Sequence, residues 1–125
     1  MIGFKQEEKR IIEQTIDLYG TDLQCFVACE ELAELIQAIS KALRTDNDDN
    51  KDNLIEEMAD VYIILEQLQE LYTISDELIN EKITEKLERQ DKRNQKEMQE
   101  IGNELIKEII IESIQKREER NRSGK

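Results

Sequence analysis

The chain contains no histidine, no proline and no tryptophan, and it has only four glycines and two cysteines. Without imidazole, and without a recognisable nucleophile motif, triad-type hydrolysis is disfavoured. The same absence disfavours zinc, since Cys25 and Cys29 alone would need carboxylates to complete a tetrahedral site. These two thiols are instead predicted to be small buried hydrophobes in a reducing compartment. The lack of proline and the scarcity of glycine remove the usual helix breakers. No apolar run approaches the ~20 residues that span a bilayer, and the charged start "MIGFKQEEKR" does not read as a signal peptide, so a cytoplasmic protein is expected. Positive charge is also short: 18 Lys and Arg face 30 Asp and Glu, a formal net charge of -12. That balance argues against nucleic-acid and anionic-membrane partners and favours cations.

What is present is Leu, Ile, Glu, Lys and Gln, the composition of long helices. At 125 residues, an all-α fold with one core is expected: a helical domain over 1–93 and a C-terminal helical extension over 94–125, in the same compact unit or serving oligomerisation. Four or five helices are predicted. The first runs from about Phe4 to Tyr19 and stops at Gly20 as a C-terminal cap. Thr21 opens the second with the Thr-x-x-Gln form of a capping box, and its apolar spacing continues to about Leu43. The polar stretch "RTDNDDNKDN" reads as a loop, and a third helix is expected from Asp52 or Asn53 to about Tyr72. Ser75 is the predicted cap of a fourth, Gly102 marks a possible break, and Ile101 to Ile114 form a further amphipathic stretch.

Acidic residues stand among the apolar ones on the second and third helices. On the second, Ala28, Leu32, Leu35, Ile36, Ile39 and Leu43 form the predicted apolar arc, with Glu31 and Glu34 at its border. On the third, Glu57 and Asp60 share a stripe with Ile64, Leu68 and Leu71. If the two helices pack antiparallel, two carboxylate pairs, each spaced by three residues, converge and repel. A hard divalent cation resolves that conflict, because Mg²⁺ prefers carboxylate oxygens and helical bundles with inward Glu ligands build such sites. A single Glu-x-x-Glu in a Glu-rich helix is usually a solvated edge; two matched pairs on adjacent helices shift the balance toward a site.

Glu30-Glu31-x-x-Glu34 followed by Glu57-x-x-Asp60 resembles the EExxE and ExxD pair of the MazG-like, all-α nucleoside triphosphate pyrophosphohydrolases. The surrounding "EELAELIQAISKALR" and "NLIEEMADVYIILEQLQELY" are similar to the two motif helices of short bacterial and phage members. The resemblance covers about Thr21 to Arg89; the segment from about Asn94 onward has no counterpart in it. It implies a four-helix bundle and hydrolysis of an NTP or dNTP between the α- and β-phosphates, with Mg²⁺ as cofactor and Mn²⁺ as a possible substitute. Carried over by position, Glu31, Glu34, Glu57 and Asp60 are metal ligands, and Glu30 and Glu31 are the catalytic residues, Glu30 as a further ligand or by orienting water. It also implies a homodimer or higher homo-oligomer.

A triphosphate needs further cations. Lys82, Lys86 and Arg89 share a helix face, and Lys41 lies seven residues beyond Glu34; these are the substrate-binding candidates, the first three being equally readable as solvated partners of Glu81, Glu85 and Glu88. Phe4, Tyr19, Phe26, Tyr62 and Tyr72 are the aromatic residues available to a nucleobase, and none is singled out. A non-catalytic helical interaction protein, or a nucleotide sensor retaining the fold, is the alternative, favoured by the unfamiliar C-terminal segment.

Overall fold

Gly20 alone separates the first two helices. In the computed structural model, which describes residues 3–124, α1 spans Gln6–Tyr19 and α2 spans Thr21–Arg44. Gly20 adopts φ +81°, a left-handed value that costs glycine little, and its N–H donates to the Ile16 carbonyl at 2.8 Å. It is also the N-cap of α2, its carbonyl accepting the Gln24 N–H at 3.1 Å. The capping box expected at Thr21 is therefore absent: Thr21 is already the first helical residue, and the Gln24 side chain is buried instead.

The polar loop after α2 is shorter than its composition suggests. Helix α3 spans Asp48–Leu71 and leaves only residues 45–47 as connection. The Asn47 side chain accepts the Asn50 N–H at 2.8 Å, and the Asn50 amide donates to the Thr45 carbonyl at 2.7 Å and the Lys41 carbonyl at 3.2 Å. An Asn cap, Asp48 and Asp49 in the positive first turn, and a stitch to the end of α2 together make helix of what reads as loop.

Residues 48–50 bring the start of α3 to the end of α2, and at the far end Cys25 lies 3.5 Å from the Tyr72 hydroxyl, so the two helices form an antiparallel hairpin. The face of α2 that meets α3 carries Gln24, Ala28, Glu31, Leu35 and Ala38, alternating by four and three residues. This corrects the expected arc: Ala38 is 1% exposed, whereas Ile36 is 68% and Leu43 83% exposed. Small alanines let the backbones approach, and bulky residues at those positions would hold them apart. The core of the hairpin and α1 is consequently small, made of Ile12, Ala28, Ala38 and Ile64 with the buried amides Gln24 and Gln67. The cysteines differ from expectation too, Cys25 being half-buried and Cys29 exposed.

Thr73 follows α3 with φ +52° while the Ile74 N–H bonds the Gln69 carbonyl at 2.8 Å, and the chain then enters α4, Asp76–Ser123. Helix α4 begins directly after Ser75, as expected, and runs unbroken for 48 residues. Gly102 does not interrupt it, because one glycine costs only about 1 kcal/mol in a helix interior and strong helix formers surround it. Among the described residues the protein is thus all-α, without strands, as the composition predicts. The chain divides into two units, Met1–Asp76 and Glu77–Lys125. No described helix is long and apolar enough to cross a membrane.

Candidate metal centre

The heptad-like spacing that packs α2 on α3 also sets acids into the seam. Glu31 follows Ala28 by three residues on α2; on α3, Glu57 and Asp60 precede Ile64 and Gln67 on the inward side. The antiparallel hairpin brings Glu31, Glu34, Glu57 and Asp60 together, with one carboxylate oxygen from each lying within 4.8 Å of the others. Glu31, Glu57 and Asp60 are half-buried, while Glu34 is exposed.

The cluster is electrostatically incomplete. No Lys or Arg pairs with any of the four among the described residues, whose ion pairs are Arg10–Glu7, Lys82–Glu85, Lys107–Glu104 and Lys116–Glu112. Glu31 Oε2 and Glu57 Oε2 are buried without a hydrogen-bond partner. Burial pushes the Glu31 carboxyl above its ordinary range, and the nearby Asp60, Glu34 and Glu57 carboxylates push it the same way. Glu57 is raised first by burial and then by Glu34 and Asp60. Desolvated like charges disfavour ionisation, and a bound cation removes the penalty. The donor set is all oxygen, with no nitrogen or sulfur, which fits a hard divalent ion such as Mg²⁺ or Mn²⁺.

A cavity of about 320 Å³ adjoins the cluster and shares Glu31 and Asp60 with it. Tyr19, Leu23, Val27 and Ile63 supply apolar wall, and Gln24 and Gln67 supply amides. Gln67 is 6% exposed and its Oε1 has no hydrogen-bond partner. Both glutamines escape a search confined to charged and aromatic residues, although Asp60, Ile64 and Gln67 at intervals of four and three lie on one helix face, a signal readable for Gln67. Tyr19 is the one expected aromatic candidate that lines this cavity.

The remaining candidates are not members of the four-carboxylate group. Glu30 is exposed, turned about 100° from Glu31. Lys41 is exposed near the end of α2. Lys82, Lys86 and Arg89 are exposed on α4 in the second unit, Lys82 bonded to Glu85 at 3.1 Å. Comparison of the chain with protein-family models, with curated proteins and with solved structures finds no match in any of the three.

Proposed function

We propose that Glu31, Glu34, Glu57 and Asp60 hold Mg²⁺, with Mn²⁺ able to replace it, and that the protein is a nucleoside triphosphate pyrophosphohydrolase of the MazG-like type acting on a cytoplasmic NTP or dNTP pool. The observation that carries this reading is the convergence of four unpaired carboxylates within 4.8 Å, two from each helix of the hairpin. The order and spacing of the acidic pairs, which resemble that family's motifs, and the adjoining cavity support it. When bound at these four carboxylates, the cation would supply positive charge to the phosphates and acidify a water, whose attack on phosphorus breaks the α–β anhydride bond and releases pyrophosphate and the monophosphate.

The chain's own residues supply the rest. Glu31 and Glu57, whose ionisation burial and the neighbouring carboxylates disfavour, and Asp60 fix the ligand oxygens on rigid helices, so little reorganisation accompanies binding. Exposed Glu34 completes the set from the solvent side. Glu30, also exposed, accepts a hydrogen bond from the attacking water, and Lys41, in the same unit, contacts phosphate. No protein nucleophile is required. The products are a nucleoside monophosphate and pyrophosphate.

Incubation with each common NTP and dNTP in Mg²⁺ or Mn²⁺, with monophosphate plus pyrophosphate resolved from diphosphate plus phosphate, tests this. Asp60→Ala or Glu34→Ala should lower the rate by at least about 10²-fold by removing an oxygen ligand. Wild-type turnover in Asp60→Ala at saturating Mg²⁺ would remove the carboxylates from the mechanism. Nucleotide binding without any product would favour the sensing reading instead.

A further inference from the structure

Helix α4 raises a question the carboxylate site does not answer. None of its residues is buried, yet Met98, Ile101, Leu105, Ile106, Ile109 and Ile110 are each more than half exposed along its second half. At roughly 80–100 Å² apiece, these six leave on the order of 500–600 Å² of contiguous apolar surface on each copy. Two such faces in contact would remove about 1,100 Å², enough for a specific interface.

The sequence shows what kind of partner fits. Positions 87, 90, 94, 98, 101, 105 and 109 are separated by three, four and four residues, and then by the same intervals again: Leu87, Gln90, Asn94, Met98, Ile101, Leu105, Ile109. An eleven-residue period holds one stripe in register along a nearly straight helix, and it is the period at which helices wind around each other with a right-handed twist. Gln90 and Asn94, hydrogen-bonded to one another at 2.8 Å, interrupt the apolar stripe, and polar positions in such a seam fix register. A second stripe, Ile106, Ile110 and Ile114, lies about 100° around the helix from the first at 3.6 residues per turn. Gly102 begins this second stripe, where the missing Cβ leaves open space for a neighbouring backbone.

Charge identifies the neighbour. Residues 77–125 carry twelve acidic and twelve basic side chains and are neutral, so the whole formal charge of -12 belongs to residues 1–76, with eighteen acidic against six basic. A neutral, mixed-charge helix meets its own copies without net repulsion, whereas a membrane surface or nucleic acid requires a positive face. We propose that α4 is covered by α4 from other copies of this chain. Two seams about 100° apart match a square cluster of four helices, in which each helix touches two neighbours about 90° apart, and a single pair would leave one seam bare.

Sedimentation equilibrium of the full chain tests the proposal independently of any catalysis. The mass of four chains is expected. Leu105→Lys with Ile109→Lys should reduce it, and Leu105→Ala with Ile109→Ala, which preserves helix propensity, should shift dissociation to at least tenfold higher concentration. Ile111→Lys, on the opposite face, should leave the mass unchanged. A wild-type mass of one or two chains, or an assembly equally stable in both double variants, overturns the proposal.

Discussion

If the carboxylate cluster binds a divalent ion only in the folded hairpin, the ion must raise stability by RT ln(1 + [M]/Kd). A partly exposed all-carboxylate site is expected to have a Kd on the order of 0.1 mM, so 10 mM Mg²⁺ is about a hundredfold excess and adds about 2.7 kcal/mol. For a chain of 125 residues that corresponds to a rise in Tm of roughly 8–15 °C. The informative perturbation is Asp60→Asn, which keeps the side-chain volume and removes one of the four charges within 4.8 Å. Two opposite changes are expected. Without metal the variant should melt above wild type, because one like charge has left the cluster; with 10 mM Mg²⁺ the order should reverse, because a ligand has gone. The assay is thermal unfolding followed by circular dichroism at fixed chain concentration. A control at about 30 mM NaCl matches the ionic strength, since a chain of net charge -12 gains stability from screening alone. A wild-type Tm indifferent to Mg²⁺, or an equal rise in wild type and Asp60→Asn, would refute a specific site.

Raised carboxyl pKa values predict an inverted pH response in the metal-free protein. Glu31 and Glu57 hold protons in the folded state above pH 4.5, where the unfolded chain releases them, so their contribution to stability increases as pH falls from neutrality through their raised pKa values. Wild type should therefore gain Tm relative to Glu31→Gln as pH is lowered from neutrality toward 4.5, and the Tm increment from Mg²⁺ should shrink in the same direction; parallel melting curves would contradict this. At the end of α3, Thr73→Gly should raise stability by about 0.5–1 kcal/mol in urea titrations, because a β-branched residue holds φ +52° there. Asn47→Ala should lower it by about 1 kcal/mol, since the α3 cap is lost and the Asn50 N–H loses its acceptor; no change would mean that the stitch from Asn50 to α2 suffices.

By itself the sequence determined the all-α class, the turn at Gly20 and the two acidic pairs, because each rests on interactions within a few residues: propensity, a left-handed glycine, and a three-residue spacing on one helix. Local reading failed where nonlocal partners decide. Asn50 reaching back to Lys41 and Thr45 turned a polar loop into the first turns of α3, and uninterrupted neighbours carried α4 through Gly102. The face that α2 buries was also a tertiary decision. Hydropathy selects Ile36 and Leu43, but the distance between α2 and α3 selects Ala28 and Ala38, and this closer seam takes in Gln24 and Glu31. Spacing alone could place Glu31 and Glu34 on one helix and Glu57 and Asp60 on another. Only the antiparallel packing brings their oxygens within 4.8 Å, because repulsion and burial arise between groups 26 residues apart, Glu31 and Glu57, that no local rule connects.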